Sequence, residues 1–493
     1  MAYRNGSGSA GHETLAGTVR LLAAEALIFP TGVVTAAYLT RRLGADGYGV
    51  FSLAALIVTW IQWCAVSLLS RSTILSIRQA DAWKPLATRI LQIHLAAGFL
   101  GAAGLWIAAP LAAEVLSIPS LSGYLRIFAV DIVFFVYSHG HRNIVTGIGR
   151  YGHRARIVAT RWISRMVLVI LLVGMGLSIR GAILAAIGAS ILEVLVARRY
   201  DRAPLFARSA VSSRPFLLSA VPLVVGALAM RVVQDTDLFA LKALGASTAE
   251  AGFYAAARNL SVAPLVFAAA FAPLILSTLA RLTQGGEIEH ARGMARDAER
   301  LALALVPFAA LMSGASGGIV ELVFGPRFAP AAPVLAWLIF AGVAATVLAI
   351  GGVILVAGGR LDSQARILVA LIPLAIGGHL WAIPRFGALG AARVSTLAMV
   401  VGAALTLAAV ARMWRVWPPG ATLIRIAIVS LGAGLAAHAW PATGWRLLGE
   451  LAVLGAAIPV ALVALGEFNR RELGVAWRAV LPGRGPRGLE PPG

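Results

Sequence analysis

The stretch MRVVQDTDLFALKALGASTAEAGFYAAARNL, residues 230–260, places ionised side chains in an otherwise apolar region. Arg231, Asp235 and Asp237 stand at the end of one apolar run, and Arg258 stands inside the next. An ionised group in hydrocarbon costs about 2.5–3.5 kcal/mol on insertion scales, so such groups usually face a protein interior or a wet cavity. The stretch therefore predicts a membrane-spanning chain with a polar site inside it.

The spacing of these charges leaves two interpretations open. Arg231 and Asp235 are four residues apart, which places them on one helix face within pairing distance. Asp237 lies roughly 200° around a regular helix from Asp235, so the two carboxylates are predicted to face different ways. Either the charges form a polar site in a transport pathway, or an ion pair only holds two helices together and Asp237 lies at the membrane surface.

The composition of the whole chain agrees with membrane insertion. Of 493 residues, 59% are hydrophobic and 13% are charged, and the mean hydropathy is +0.84. Soluble domains carry about 25% charged residues, so this chain has too little polar surface to cover itself in water. About fourteen apolar runs have the length of roughly 20 residues that a membrane-crossing helix needs. The loops between them are too short for a folded soluble domain, and the lone Cys64 excludes an internal disulfide.

The basic residues predict the orientation of the chain. Lys and Arg number 42 against 21 Asp and Glu, for a net charge of +21. They concentrate in the even-numbered loops; the fourth, for example, is assigned Arg142, Arg150, Arg154 and Arg156. The positive-inside rule places these loops and both termini in the cytoplasm. The excess charge is thus interpreted as a topology signal and an attraction to anionic lipid, and no nucleic-acid partner is predicted.

The chain contains a weak internal repeat. LTRRLGADGYGVFSLA (residues 39–54) follows the first span, and LKALGASTAEAGFYAAA (residues 241–257) follows the seventh. The two copies are six spans apart and enter the membrane in the same orientation, which predicts two lobes related by an axis along the membrane normal. The matching positions are Gly44 and Gly245, Gly49 and Gly252, and Phe51 and Tyr254.

The predicted fold is an all-α integral membrane protein with two pseudo-symmetric six-helix lobes and two extra C-terminal helices. Its predicted parts are a cytoplasmic N-terminal tail (residues 1–16), an N-lobe of spans 1–6 (17–200), a C-lobe of spans 7–12 (201–415), the extra spans 13–14 (416–468) and a cytoplasmic C-terminal tail (469–493).

Further charges fall within the predicted spans. Arg161 and Arg165 share a helix face, where two cations repel unless an anion or a carboxylate lies between them. A diphosphate head group would suit, because guanidinium groups bind phosphate in a fork; alternatively, both side chains extend to the cytoplasmic surface. Asp131 is the deepest carboxylate and either pairs with Arg126 or binds a coupling cation. Glu25 either binds a proton or pairs with a neighbouring arginine.

Common catalytic motifs are absent from the sequence. There is no GxxxxGK[ST] loop for ATP, and there is no HExxH or paired CxxC for zinc. Asp235 and Asp237 match the D-x-D of many glycosyltransferases, but they fall at the outer end of the seventh span, away from cytoplasmic nucleotide sugars. The sequence therefore predicts neither an enzyme, a metal site nor a cofactor.

The segments at residues 39–54 and 237–260 resemble the corresponding parts of Wzx-type flippases for O-antigen or exopolysaccharide units. These belong to the multidrug/oligosaccharidyl-lipid/polysaccharide exporter superfamily. The resemblance implies two lobes around a central cavity that opens alternately to each side of the bacterial cytoplasmic membrane. It also implies that an undecaprenyl-diphosphate-linked oligosaccharide is moved outward, with cavity arginines receiving the acidic head. The first lobe departs from the second, because residues 28–34 (IFPTGVV) carry no charged pair.

The predicted function is flipping of this lipid-linked saccharide. The alternatives are an ion-coupled small-molecule or drug antiporter of the same superfamily, a membrane O-antigen polymerase or ligase, and a scaffold in a polysaccharide assembly complex. The expected partners are the lipid bilayer, the lipid-linked oligosaccharide and other polysaccharide assembly proteins. Substrate binding is assigned to Arg231, Arg258, Arg161, Arg165 and Arg126, and ion coupling to Asp235, Asp237, Asp131 and Glu25.

Overall fold

The computed structural model describes residues 17, 20–80, 82–204, 231, 235–415, 417 and 419–468. These residues are almost entirely α-helical and form no strand, which confirms the all-α fold. Nine of their helical segments are long and apolar enough to cross a membrane, or ten if one bent pair forms a single span. The count of fourteen spans stays a prediction, because the seventh span, centred on Val225, and both tails lie outside the described residues.

The first half of the chain packs around a core of small and branched apolar side chains, among them Leu125 and Ile132, both fully buried. A π-helical turn at Val173–Leu177 joins its last two helices. In chain order the helices are α1 (Ile28–Gln79), α2 (Trp83–Val115), α3 (Leu121–Gly147), α4 (Tyr151–Leu172) and α5 (Ser178–Asp201).

The second half is built around α11, which is apolar on all sides, as expected of a helix surrounded by other helices. It contacts α6, α7, α9 and α12. The 3₁₀ turn Pro326–Phe328 precedes it. The helices are α6 (Thr248–Ser261), α7 (Ala263–Gln284), α8 (Ile288–Leu303), α9 (Val306–Gly314), α10 (Ser316–Phe324), α11 (Ala331–Ala357), α12 (Leu361–Trp414), α13 (Gly420–Ala439) and α14 (Trp445–Ala464).

The longest helices are broken at glycines. Helix α1 has 52 residues and α12 has 54, and each equals two membrane crossings because one crossing takes about 20 residues. The backbone leaves helical geometry at Gly44, with φ 68°, and at Gly387, with φ 54°. Glycine adopts positive φ without the steric cost that a side chain brings. Gly245, the counterpart of Gly44 in the repeat, also has a positive φ, of 97°.

The second pair of repeat glycines meets where α1 crosses α6. A Cβ on Gly49 would lie 2.0 Å from the carbonyl oxygen of Thr248, and a Cβ on Gly252 would lie 2.1 Å from that of Ala45. The sequence repeat is therefore expressed as a reciprocal backbone contact between the two halves. We call it the glycine crossing. The predicted lobe boundary at residues 200 and 201 stays a prediction.

Polar and aromatic contacts surround the glycine crossing. The Thr248 hydroxyl donates a hydrogen bond to Asp46 Oδ1 at 2.6 Å. The buried ring of Phe328 lies edge-on to Tyr48 from the first half, with 6.2 Å between centroids, and to Phe253 from the second, with 5.5 Å. These contacts hold the halves together at the end of the molecule that the charge pattern predicts to face outward.

The last two helices are attached through a buried carboxylate beyond the end of α14. The Glu467 side chain is 1% exposed and lies 3.0 Å from Arg300 Nε of α8 and 3.2 Å from Arg425 Nη1 of α13. The Thr422 hydroxyl donates a further hydrogen bond at 2.8 Å. Burial raises the pKa of Glu467, but the hydrogen bonds from Thr422, Arg300 and Arg425 outweigh it, so the pKa lies below its ordinary value.

Candidate functional site

A cavity of about 570 Å³ lies between the two halves of the molecule, and we call it the main cavity. Helices α1 and α4 of the first half and α6 and α7 of the second contribute its wall. Most of the wall is apolar, as at Phe51 and Leu265. Its charged members among the described residues are Arg165 and Arg231, and none of its described members is acidic. The cavity thus presents positive charge against an apolar background.

Arg231 is held in place by a carboxylate behind the cavity wall. It forms an ion pair with Asp235, one helical turn further along the chain, as the spacing predicts. Asp235 is 2% exposed and also contacts Arg258 of α6. The guanidinium of Arg231 lies 5.9 Å from the ring centroid of Trp63 on α1. The second-half charge group therefore contacts the first half.

Asp237 belongs to the same charge group. Arg258 contacts Asp235 and also places Nη1 3.5 Å from Asp237 Oδ1. Helical spacing predicts that the two carboxylates face different ways, but one long side chain on a crossing helix reaches both. Asp237 is 4% exposed, so its carboxylate is buried among the helices. Tyr254 donates a hydrogen bond to Asp237 Oδ2 at 2.6 Å, and Ser395 donates one at 3.4 Å. A pocket of about 100 Å³ adjoins Asp237, Arg258 and Ser395.

In the first half, Asp131 of α3 is bound by neutral donors. It is 2% exposed. Gln62 Nε2 of α1 donates to Oδ2 at 2.8 Å, and the Ser190 hydroxyl of α5 donates to Oδ1 at 2.5 Å. Arg126 is not among these partners, so that predicted pairing is not found.

A second buried carboxylate, Glu193 of α5, neutralises two arginines. Arg161 of α4 lies 3.3 Å from it and Arg142 of α3 lies 3.1 Å from it. Ser138 donates a further hydrogen bond at 3.0 Å. Arg161 therefore does not extend to the surface, and Glu193 compensates its charge together with that of Arg142. The assignment of Arg142 to a cytoplasmic loop is wrong, because α3 continues to Gly147 and Arg142 is 6% exposed.

A smaller cavity of about 220 Å³, which we call the side chamber, lies next to the main cavity within the first half. The two share the wall residues Thr59, Trp162 and Arg165. Asp131 and Arg161 also line the side chamber. No ion pair joins Arg165 to a carboxylate in the part of the chain that the structure describes. Arg165 thus places its guanidinium between two cavities, with no carboxylate partner among the described residues.

Two of the assigned residues lie elsewhere. Glu25 pairs with Arg154 at 3.2 Å and its side chain is 43% exposed. Arg126 is exposed and lies 4.6 Å over the ring of Trp106. Neither lines the main cavity or the side chamber.

Sequence reasoning missed the neutral partners of the carboxylates. Gln62, Ser190 and Tyr254 each contact a buried carboxylate through a hydrogen bond across helices. Gln62 and Ser190 had a detectable signal, since each is a polar residue inside an apolar run. Tyr254 stands out in the sequence only as the aromatic position of the repeat.

The sequence matches a family model described as polysaccharide biosynthesis protein over residues 14–276, more than half of the chain. The chain belongs to this family. This confirms the resemblance seen in the repeat segments. Among curated proteins, none matches the sequence.

Solved structures share the fold of this family member. The lipid II flippase MurJ in its inward closed conformation is 13% identical, with a TM-score of 0.70 over 94% of this chain and 99% of that one. The Vibrio cholerae MATE transporter VcmN in its bent form is 14% identical, with a TM-score of 0.54 over 83% and 97%. An inward-facing multidrug resistance MATE transporter of the MOP superfamily is 13% identical, with a TM-score of 0.55 over 80% and 95%. The chain is thus a multi-pass membrane protein with the fold of flippases and transporters.

Proposed function

We propose that the protein is a flippase. It moves undecaprenyl-diphosphate-linked oligosaccharide units from the inner to the outer leaflet of the bacterial cytoplasmic membrane, for polysaccharide or O-antigen export. The observation that carries the proposal is the charge of the main cavity: it contains an arginine from each side, Arg165 and Arg231, and no acidic residue among its described lining. Guanidinium groups suit a diphosphate, because one guanidinium can donate two parallel hydrogen bonds to two phosphate oxygens.

The sign of this charge separates the proposal from its nearest alternative. A site for cationic drugs would present carboxylates to the cavity. Here Asp235 and Asp131 lie behind the wall, where arginines or neutral donors bind them. The main cavity therefore favours an acidic substrate, while its apolar wall and the surrounding lipid accommodate the polyprenyl chain.

Alternating access requires the two halves to separate at one end and meet at the other. The glycine crossing of Gly49 and Gly252 closes the end that the charge pattern predicts to face outward. In the proposed cycle, the acidic head enters from the cytoplasmic side, and parting of α1 from α6 then releases it outward. Both termini are cytoplasmic in this arrangement.

The energy source is proposed to be an ion gradient, sensed by the buried carboxylates. Asp131 suits this role best, since an amide and a hydroxyl donate to it. Asp237 follows, with a hydroxyl donor and one arginine at 3.5 Å, whereas Asp235 is bound by both Arg231 and Arg258. Glu25 is the least suited of the four, because it lies at a half-exposed ion pair.

The test is transport by purified protein in proteoliposomes, with a fluorescent undecaprenyl-diphosphate saccharide as substrate. Arg165→Ala and Arg231→Ala should each lower the flipping rate by tenfold or more, because each charge-assisted hydrogen bond to the diphosphate is worth about 1.5–3 kcal/mol. Arg126→Ala is the matched control, since it removes an exposed arginine that lines neither cavity.

Loss of protein abundance in the Arg231→Ala variant would instead assign this residue to helix pairing. Normal lipid-linked saccharide export in a deletion strain, together with altered drug sensitivity, would point to the antiporter and contradict the proposal.

A further inference from the structure

The side chamber contains buried nitrogen atoms that lack hydrogen-bond partners. Arg142 Nη2, Arg161 Nε and His139 Nδ1 are all buried, and none has a partner among the described residues. All three side chains line the side chamber. Buried polar groups in native proteins are nearly always bonded, and leaving a charged donor unpaired is costly. The chamber therefore offers several hydrogen-bond donors to a ligand that carries several acceptor oxygens.

The charges around the side chamber do not balance. Three guanidinium groups, of Arg142, Arg161 and Arg165, face two carboxylates, of Asp131 and Glu193. Glu193 pairs with Arg142 and Arg161, and among the residues that the structure describes neither Arg165 nor Asp131 has an ion-pair partner. Because a buried charge is stable only when it is compensated, the one positive charge in excess of the two carboxylates favours a bound anion.

The size and the position of the side chamber fit a phosphate group. Its volume is about 220 Å³, whereas one water occupies about 30 Å³ in the liquid, so a phosphate fits with several waters. Thr59, Trp162 and Arg165 form the boundary with the main cavity. The two cavities therefore adjoin at these three residues, and Arg165 is accessible from both.

We propose that the side chamber is a second anion site, separate from the main cavity, which binds one phosphate group through Arg165 and the unpaired donors of Arg142 and Arg161. The inference rests on the proposed function in one respect, since the lipid-linked head group is one source of this phosphate. Free inorganic phosphate is the other source.

The test is equilibrium binding of radiolabelled inorganic phosphate to the full-length protein in lipid nanodiscs. Arg165→Gln should weaken binding by about tenfold or more, because a charge-assisted bond is lost. Asp131→Asn should tighten it by about fivefold, because a like charge next to the anion is removed while the side chain keeps its shape. A merely structural role for Asp131 would give weaker binding. Arg126→Gln is the matched control and should bind phosphate like the native protein.

The source of the phosphate is settled by competition. Displacement of the label by undecaprenyl diphosphate in the nanodisc would identify the lipid head as the guest, and displacement only by free phosphate or pyrophosphate would identify the inorganic ion. Either result supports the site. Absence of binding, or binding that Asp131→Asn leaves unchanged or weakens, would overturn it.

Arg231→Gln separates this inference from the proposed function. Arg231 lines the main cavity and not the side chamber, so this variant should lose flipping and keep its phosphate affinity. Equal loss of phosphate binding in Arg231→Gln and Arg165→Gln would place the ion in the main cavity and refute the side chamber. Phosphate binding without any flipping by the native protein would refute the flippase and leave the chamber standing.

Discussion

Replacing Gly252 with alanine tests whether the glycine crossing is the closure that alternates during transport. The added Cβ would lie 2.1 Å from the Ala45 carbonyl oxygen, whereas ordinary contacts of this kind begin at 3.4 Å. Helices α1 and α6 must then separate by roughly 1 Å, a degree of overpacking that costs about 1–3 kcal/mol. The cost applies only while the crossing is closed. The closed-to-open ratio should fall by about 5- to 150-fold, the ratio that corresponds to this energy.

The difference in helix propensity between alanine and glycine does not affect the outcome of this test. Alanine favours a helix over glycine by about 1 kcal/mol, but α6 is helical whether the crossing is open or closed, so this term cancels. Gly104→Ala in α2 is the matched control, because a Cβ there meets nothing within 4 Å. It adds the same methyl group to a membrane helix without touching the other half.

The assay is disulfide formation between cysteines introduced at Asp46 and Thr248, in a Cys64→Ser background. The native side chains are hydrogen-bonded at 2.6 Å, so the cysteines meet only when the crossing is closed. Gly252→Ala should slow cross-linking and change the flipping rate. If Gly252→Ala cross-links as fast as Gly104→Ala and flips at the native rate, the glycine crossing is not a closure that opens during transport.

Three further predictions concern the buried charges. Glu193→Gln should lower the free energy of unfolding by about 3–5 kcal/mol, because it leaves two buried guanidinium groups uncompensated; thermal unfolding in detergent measures this. Tyr254→Phe removes the hydrogen bond to Asp237 and should cost about 1–3 kcal/mol, with a midpoint drop larger than that of Tyr38→Phe, whose hydroxyl bonds only an exposed carbonyl. The pKa of Glu467 is lowered in the native state, so its stabilising effect is present at neutral pH and is lost as the pH falls through that pKa. Glu467→Gln should therefore melt earlier than the native protein at pH 7, and the two midpoints should converge in acid.

The sequence was informative wherever the interaction was local. The pairing of Arg231 with Asp235 follows from helical spacing alone, and it is present in the structure. The repeat glycines were also recognised, since their turn and crossing geometry excludes other residues. Gly44 and Gly245 both have positive φ, and Gly49 meets its counterpart directly.

The sequence was uninformative where partners come from distant helices. Nothing local connects Arg161 with Glu193 or Gln62 with Asp131, because these contacts depend on how four helices rotate against each other. Counting basic residues between apolar runs also misplaced Arg142. The rule assumes that an arginine near the end of a span lies in the loop, whereas a buried carboxylate can keep it inside the helix bundle.

The two arginines of the main cavity are not equivalent, and under the proposed function this asymmetry would let the site both hold and release an acidic head. Arg231 already has Asp235 as its partner, so a phosphate gains there only what remains after it shares the guanidinium with a carboxylate. Arg165 has no such partner among the described residues, so the full charge-assisted interaction is available. We therefore expect Arg165 to carry the larger part of the affinity. Arg231, on the other half, contributes an interaction that depends on how closely the halves approach, and separation of the halves would weaken it first. A head group bound by two arginines without carboxylate partners would be held tightly in every conformation. With one unpartnered arginine and one that is already ion-paired, separation of the two halves lowers the affinity.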